Sequence, residues 1–239
     1  MNDDIKYLKK YLNKDMLEEG IIRLNSGESP QYIIGNVNFY GYKINVNSHV
    51  LIPRFETEEL VYKTINYIKS YFENPITIVD LGTGSGCIAI TLKKQLLNSK
   101  ISAVDVSKEA LEIAKKNAEL NETDIDFKLG NMLEPLNKKY DCIISNPPYI
   151  ALNECVMDIV KNNEPNLALY AKNNGLEFYE QILKGAGNVL NQRSLIAFEI
   201  GETQGKEIEN IAKTYFPEST IEIEKDMQHR DRFVFIFNK

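Results

Sequence analysis

Residues 76–86, Ile-Thr-Ile-Val-Asp-Leu-Gly-Thr-Gly-Ser-Gly, decide the fold class of this chain of 239 residues. The stretch begins as a mainly apolar run, which is typical of a buried strand, and ends with glycine at every second position. An apolar segment at residues 87–97 follows directly and is predicted to form a helix. A strand, a glycine turn and a helix in this order indicate an α/β domain with a ligand-binding loop after its first central strand.

The glycine turn predicts a cofactor site. Glycine lets the backbone approach a ligand closely, so we predict that Gly82, Thr83, Gly84, Ser85 and Gly86 bind a cofactor. The spacing Gly-x-Gly-x-Gly differs from the Gly-x-Gly-x-x-Gly of dinucleotide sites. It favours a ligand with an amino-acid tail, such as S-adenosylmethionine. A plain turn between strand and helix is the alternative.

Further apolar segments predict parallel strands that each end at polar residues. Residues 101–104 lead to Asp105, whose carboxylate is placed to accept hydrogen bonds from ribose hydroxyls, with helix capping as the alternative. Residues 125–129 lead to Asn131, placed to hydrogen-bond an adenine edge, and Met132, placed to pack on the ring, although a turn is the alternative. Since ligands bind beyond the carboxyl ends of parallel strands, these residues should meet in one crevice.

The next predicted strand, residues 140–145, leads into Asn146-Pro147-Pro148-Tyr149, which we predict to be the catalytic segment. Proline fixes its own φ, and residues before proline avoid helical geometry, so this segment should form a rigid, extended ledge. A planar NH2 group could donate to the Asn146 side-chain oxygen and to a carbonyl near Pro147, while Tyr149 stacks on its plane. Fixed acceptors would stabilise the positive charge that develops on such a nitrogen as it attacks an electrophile. A proline-rich turn is the alternative.

The rest of the chain predicts a helical arm, a hairpin and the remainder of an α/β domain. Helical spacing at residues 3–25 predicts an arm that Gly20 breaks or caps, and alternation over residues 31–52 predicts a β-hairpin. Thr57 could cap a helix that runs to about residue 72, and Ser107 a helix that runs to residue 120. Two final strands, at about residues 220–224 and 232–237, should form a hairpin that closes the sheet edge, with the last strand antiparallel. Residues 153–172 should form a loop or short helix beside the ledge. We expect three units: a helical arm at residues 1–28, a β-hairpin linker at 29–55 and a catalytic domain at 56–239.

Composition limits the possible partners. The net charge of −6 and the pI near 5.2 argue against a nucleic-acid groove binder, so no stable nucleic-acid binding is expected. Cys87, Cys142 and Cys155 lack metal-ligand spacing, and the first two should be buried apolar residues, so we predict no metal. The sequence has no signal peptide or long apolar span, and we expect a cytoplasmic monomer without membrane contact.

The chain resembles the class I S-adenosylmethionine methyltransferases and, more narrowly, the PrmC/HemK family. The members of this family are protein-glutamine N5-methyltransferases of class-1 peptide chain release factors. The resemblance covers about residues 30–239. Two features distinguish this family from other methyltransferases: the stretch Val50-Leu51-Ile52-Pro53-Arg54 with Glu56-Thr57-Glu58, and the matching stretches of the C-terminal third. The other matching stretches are residues 32–35, 39–41, 80–86, 146–149, 164–165, 168–169, 175–176, 178–179, 199–201, 204, 225–226 and 231–232.

The resemblance implies a Rossmann-like, mostly parallel seven-stranded sheet whose last strand is antiparallel. It implies methyl transfer to the glutamine of a Gly-Gly-Gln motif, with the ledge holding the acceptor amide. Residues 82–86, Asp105, Met132 and Asn146 would contact the cofactor. Two features depart from the family pattern: Phe55 stands where proline is usual, and the N-terminal arm is far shorter than the family's helical domain.

Two other functions are compatible with parts of this pattern. An N6-adenine or other nucleic-acid amino methyltransferase would use the same ledge, but it would usually carry a target-recognition domain or a basic surface, and a duplex substrate would require base flipping. A non-catalytic binding module is the second rival, with Phe55 and the short arm as signs of decay. The intact ledge and glycine loop argue against it.

Overall fold

The computed structural model describes residues 3–73, 75–154 and 157–239. Its N-terminal part contains α1 (Asp3–Tyr11), α2 (Lys14–Asn25), α3 (Pro30–Ile34), β1 (Asn36–Phe39) and β2 (Tyr42–Asn45). The central part contains α4 (Phe55–Tyr71), β3 (Thr77–Leu81), α5 (Cys87–Gln95), β4 (Lys100–Asp105), α6 (Lys108–Leu120), β5 (Asp126–Leu129) and β6 (Tyr140–Ser145). The last part contains β7 (Ile150–Ala151), α7 (Asp158–Asn163), α8 (Asn166–Leu169), β8 (Tyr170–Ala171), α9 (Glu177–Ala186), β9 (Leu190–Glu199), α10 (Gly205–Tyr215), β10 (Thr220–Lys225) and β11 (Asp231–Asn238).

Seven strands form one sheet in the order β10-β11-β9-β6-β3-β4-β5. Strands β3, β4, β5, β6 and β9 are parallel to their neighbours of this group, and β11 pairs antiparallel with both β9 and β10. The predicted fold class is therefore confirmed. The carboxyl ends of β3, β4, β5 and β6 lie side by side, and this edge carries all the predicted site residues.

Helices cover both faces of the sheet because its central strands are apolar on both sides. In β3, Ile78 belongs to the apolar cluster that contains α4, α5 and α6, whereas its neighbour Val79 belongs to the cluster that contains α9 and α10. Both side chains are fully buried. Successive side chains of a strand point to opposite faces, so this alternation builds a three-layer α/β/α domain.

The predicted break at Gly20 is wrong, because Gly20 lies inside α2 and is buried. A Cβ atom at this position would lie 2.7 Å from Leu12 Cδ1, so an alanine there would displace the Leu12 side chain. The break lies instead at Asn13, whose side chain accepts a hydrogen bond from the Met16 N–H and caps α2. Tertiary packing thus accounts for a glycine that local helix propensity assigns to a boundary.

Two other local predictions need correction. The hairpin is shorter than predicted, because Pro30–Ile34 is helical and only β1 and β2 pair. Thr57 does not cap α4, which begins at Phe55; its side chain is buried within the helix. As predicted, β10 and β11 close one end of the sheet, with β10 at the edge and β11 antiparallel between β9 and β10. The predicted hairpin of the last two strands and the Ser107 cap of α6 are both confirmed.

Two asparagines attach the hairpin and the helical arm to the α/β domain. Asn117 of α6 accepts a hydrogen bond from the Asn45 N–H and donates to the carbonyls of Asn45 and Ser85, which joins the β1–β2 hairpin to the glycine loop. Asn163 of α7 donates to the Gly27 carbonyl and accepts from the Ser29 N–H, which joins the arm to the segment beside the ledge. The hairpin is therefore tied to the glycine loop, and the arm is tied to the segment that follows the ledge.

The structure also bears on the cysteines and on membrane contact. Cys87 and Cys142 are buried, as predicted, whereas Cys155 lies outside the described residues. Throughout residues 3–73, 75–154 and 157–239, every helix is too short or too polar to cross a bilayer.

Candidate active site

The glycine loop between β3 and α5 is held open toward a cavity. Gly82 and Gly84 have φ values of +70° and +54°, and a Cβ atom on either would meet nothing within 4 Å. The backbone is therefore accessible at the positions where a ligand is expected to approach it. Gly86 has a different role, since a Cβ atom there would lie 3.1 Å from the Ala114 side chain and would push α5 away from α6.

Asp105, the last residue of β4, supports this loop from below. Its carboxylate accepts hydrogen bonds from the N–H groups of Gly84, at 2.8 Å, and Ser107, at 2.9 Å. Burial raises the pKa of this carboxyl group, while the backbone hydrogen bonds act in the opposite direction. A carboxylate oxygen can accept more than one hydrogen bond, so Asp105 can support the loop and still accept from a ribose hydroxyl in the cavity.

The first cavity, of about 300 Å³, lies against the loop and the ends of β4, β5 and β6. The predicted residues that line it are Gly82, Thr83, Gly84, Ser85, Asp105, Asn131, Met132, Asn146 and Pro148. Gly86, Pro147 and Tyr149 are not part of this lining. The other predicted residues meet in one cavity at the strand ends, as expected. Val50, Leu51 and Phe178 add apolar surface that sequence reasoning did not assign to the site.

The chemistry of this cavity fits S-adenosylmethionine. Among the described residues, the buried side-chain oxygens without a hydrogen-bond partner are Asp80 Oδ1 and Ser85 Oγ. Ser85 lines the cavity, whereas Asp80 is fully buried in the strand that leads to the loop. Burial raises the pKa of Asp80 to about 7, and the Thr83 hydroxyl donates to its other oxygen at 2.6 Å. An ammonium or sulfonium group nearby would favour ionised Asp80, because opposite charges stabilise each other at low dielectric. Apolar Met132 and acidic Asp105 suit an adenine ring and a ribose respectively.

A second cavity, of about 260 Å³, adjoins the first. Leu51, Asn146 and Ala168 line both cavities, whereas Tyr149, Glu199 and Arg232 line only the second. Asn146 therefore stands at the boundary between two compartments. This arrangement can hold a donor on one side and an acceptor on the other, with the Asn146 amide beside the point of transfer.

A buried hydrogen-bond chain fixes the Asn146 side chain. Its Nδ2 donates to Thr57 Oγ1 at 3.1 Å, and the Thr57 hydroxyl donates to Glu199 Oε2 at 2.7 Å. Thr57 is 3% exposed and Glu199 is 2% exposed. Burial raises the pKa of Glu199 to about 7, against the lowering effects of the Thr57 hydrogen bond and the Arg232 charge. Sequence reasoning gave neither Thr57 nor Glu199 a role in the site.

Tyr149 ends the ledge and is held through its backbone. Its carbonyl accepts a hydrogen bond from Gln204 Nε2 at 2.9 Å, and Gly175 packs directly against the same carbonyl. Burial raises the pKa of the Tyr149 phenol to about 12, so the ring stays neutral at physiological pH. The ledge is thus fixed at Asn146 by a side-chain hydrogen bond and at Tyr149 by a backbone one.

An ion pair anchors residues 157–169, which contain α7 and α8 and form the covering segment of both cavities. Arg54 Nη2 lies 2.8 and 2.9 Å from the two carboxylate oxygens of Glu164, which follows α7. The Glu164 side chain is only 3% exposed, whereas that of Arg54 is 38% exposed. Pro165 and Leu167 line the first cavity and Met157 lines the second, so this segment forms one wall of each. The prediction of a loop or short helix beside the ledge agrees with the structure.

The fold, the loop and the two-compartment site together define a class I S-adenosylmethionine-dependent methyltransferase. The family model described as "Methyltransferase small domain" matches residues 48–168. A methyltransferase from Pyrococcus furiosus has a similar fold, with a TM-score of 0.62 and 19% identity, covering 84% of this chain and 90% of that one. S-adenosylmethionine is accordingly the methyl donor.

Curated relatives then identify the particular family. The release factor glutamine methyltransferase of Enterococcus faecalis is 41% identical over 92% of this chain and 79% of its own length. That of Staphylococcus aureus is 41% identical over 89% of this chain and 77% of its own length. The chain belongs to the release factor glutamine methyltransferase family.

Proposed function

We propose that this protein transfers a methyl group from S-adenosylmethionine to the side-chain amide nitrogen, N5, of the glutamine in the Gly-Gly-Gln motif of class-1 peptide chain release factors. The observation that carries this proposal is the position of Asn146 at the boundary of the two cavities. The names of the relatives give the acceptor, and the resemblance of the ledge to that of the family gives the motif.

In this proposal the ledge binds the acceptor amide. Asn146 Oδ1 and a carbonyl near Pro147 accept the two hydrogens of the glutamine NH2 group, and Tyr149 packs on its plane. S-adenosylmethionine supplies an electrophilic methyl group bound to a sulfonium. The fixed acceptors stabilise positive charge on nitrogen, and alignment of the two reactants can contribute effective molarities of about 10⁵–10⁸ M. No general base is required, since the proton can leave to water after transfer.

The remaining roles are also part of the proposal. Residues 82–86, Asp105, Asn131, Met132 and Asn146 bind the cofactor; Asn146, Pro147, Pro148 and Tyr149 hold the acceptor. Residues 56–239 act as the catalytic domain, residues 29–55 as a linker and residues 1–28 as an arm that contacts the covering segment through Asn163. We further propose a cytoplasmic monomer that forms no stable complex with nucleic acid.

A nucleic-acid amino methyltransferase is not favoured. Solved structures of RNA methyltransferases do share the fold; the 16S rRNA N2 G1207 methyltransferase of Thermus thermophilus has a TM-score of 0.60. Its identity to this chain is 12%, covering 85% of this chain and 50% of that one, so the likeness concerns the fold alone. The net charge of −6 also opposes a phosphate-binding surface.

A competition experiment tests the proposed acceptor class. The protein is incubated with methyl-labelled S-adenosylmethionine and an equimolar mixture of unmethylated class-1 release factor, DNA and RNA. Label should enter the release factor alone. A release factor with glutamate in place of the Gly-Gly-Gln glutamine should accept none, because a site built around an NH2 group strongly rejects a group that lacks it. Label in the nucleic acid would replace the proposal with the rival function.

A further inference from the structure

The two hydrogen bonds that link Asn146, Thr57 and Glu199 determine which group donates and which accepts at each step. A hydroxyl has one hydrogen, and an ionised carboxylate can only accept hydrogen bonds. The Thr57 hydrogen is therefore committed to Glu199 while Glu199 is ionised. Thr57 Oγ1 can then only accept from Asn146, which must present its NH2 group to Thr57. Asn146 Oδ1 then faces the cavities, where it can accept a hydrogen bond from the NH2 group of the amide to be methylated.

Protonation of Glu199 would remove this constraint. A protonated Glu199 can donate to Thr57 Oγ1, which frees the Thr57 hydrogen to be donated in turn to Asn146 Oδ1. The Asn146 amide could then turn over and present its NH2 group to the acceptor. Two NH2 groups facing each other make no productive hydrogen bond, so the acceptor would lose one of its two fixed partners.

We propose that Thr57 and Glu199 are positioning residues that determine which end of the Asn146 amide faces the acceptor, with ionised Glu199 as the productive state. This inference rests on the proposed methylation of an NH2 group. Geometry supports it: both side chains are almost completely buried, and the hydrogen-bond distances are 3.1 and 2.7 Å. Neither Thr57 nor Glu199 needs to touch the reacting atoms for this role.

The surroundings of Glu199 place its titration in an accessible pH range. Burial raises the pKa of Glu199 to about 7. Arg232 is the main opposing charge, but its guanidinium donates to the Ile200 carbonyl and to Asp226 rather than to Glu199. The titratable or charged groups that influence or adjoin Glu199 are Arg54, which precedes α4, Glu56 of α4, Cys87 of α5, Tyr149 of the ledge, Tyr179 of α9 and Arg232 of β11.

The test measures kcat, KM and cofactor Kd from pH 5.5 to 9 with a release factor as acceptor. The wild-type kcat should fall below an apparent pKa near 7. In Thr57→Val and Glu199→Gln this acidic fall should disappear, and kcat at pH 8 should drop about 10- to 100-fold, as expected for losing one hydrogen bond to a charged group. Cofactor Kd should stay within about twofold in both variants, because the proposal assigns neither side chain a contact with the cofactor. A twofold change in Kd corresponds to about 0.4 kcal/mol. Thr57→Ser keeps the hydroxyl and should restore both rate and pH profile.

Thr64→Val is the matched control. Thr64 lies in the same helix, is fully buried, and donates only to the Leu60 carbonyl within its own helix. This variant should keep the wild-type kcat and its fall at acidic pH. If a threonine-to-valine change in this helix lowers kcat only by disturbing packing, Thr64→Val should lose as much activity as Thr57→Val. Burial also raises the pKa of Asp80 to about 7. Titration of Asp80 would change cofactor Kd rather than kcat, and this change would persist in the Thr57 and Glu199 variants.

Three results would overturn the inference in distinguishable ways. A wild-type protein that methylates the release factor, together with a Thr57→Val variant that keeps its kcat and acidic fall, would refute the positioning role alone. Equal losses in Thr57→Val and Thr64→Val would refute it too, because they would indicate a packing effect. A folded, cofactor-binding wild type that leaves the release factor unmethylated would refute the proposed function and the inference with it.

Discussion

Gly175 packs against the Tyr149 carbonyl at the end of the ledge. The substitution Gly175→Ala should therefore lower both the free energy of unfolding and kcat. Its φ of +85° lies in the left-handed region, where a residue with a Cβ atom is strained. An added methyl group would also overlap the Tyr149 carbonyl oxygen and Gln204 Nε2, and would lie 2.9 Å from the Tyr149 carbonyl carbon. The same two groups make the hydrogen bond that fixes the end of the ledge.

The size of the effect follows from these two costs. Left-handed geometry costs about 1–2 kcal/mol for a residue with a Cβ atom. Overpacking of a tight site costs a further 1–3 kcal/mol or so, because backbone and side chains must shift. The sum of roughly 2–5 kcal/mol is a large part of the about 5–15 kcal/mol that stabilises a typical domain. Displacement of the Tyr149 carbonyl should also lower kcat in the molecules that remain folded.

Two other glycines separate the two costs. Gly35 has a φ of +80° and nothing within 4 Å of an added Cβ atom, so Gly35→Ala should show the backbone strain alone, about 1–2 kcal/mol. Gly187 has a φ of −58° and equally open surroundings, so Gly187→Ala should be stabilising by about 0.4–1 kcal/mol. Urea unfolding followed by circular dichroism measures all three, since the chain has no tryptophan for fluorescence. If Gly175→Ala loses no more stability than Gly35→Ala, the proposed contact with the ledge is wrong.

Two further predictions concern the acidic residues of the site. Asp105→Ala should weaken cofactor binding about 10- to 100-fold by calorimetry, through loss of the ribose acceptor and of the Gly84 support, and unchanged binding would exclude this role. Glu199→Gln should become more stable relative to wild type as pH rises from 5 to 8. The raised pKa of Glu199 makes the folded state bind more protons than the unfolded state between about pH 4.5 and 7, so wild-type stability falls across that window. The difference between the two unfolding free energies should grow by on the order of 2 kcal/mol, and a constant difference would contradict the raised pKa.

The features that could be predicted from the sequence are those that depend only on residues close together in the chain. The glycine loop, the strand endings at Asp105 and Asn146, and the Ser107 cap each depend on neighbours within a few residues. Hydrophobic periodicity then specifies the layers, because a strand buried on both faces requires helices on both sides. The common carboxyl edge of parallel strands brings the predicted residues together without further information.

The features that it missed join segments that are distant in sequence. Thr57 is 89 positions from Asn146 and 142 from Glu199, and no local pattern relates them. A threonine in the first turn of a helix is a common capping signal, so its hydrogen bonds to the site could only be found in three dimensions. Gly20 gives the same lesson, since contact with Leu12 explains it and helix propensity does not.

The most direct test of the central claim locates the transferred methyl group. Purified protein, S-adenosylmethionine and an unmethylated class-1 release factor are combined, and tandem mass spectrometry of the peptides assigns the modified atom. We predict one added methyl on the Gly-Gly-Gln glutamine side chain, and its absence with Asn146→Ala, which should largely retain cofactor binding. A methyl on any other residue, or equal loss of methylation and cofactor binding in Asn146→Ala, would contradict the role assigned to the ledge.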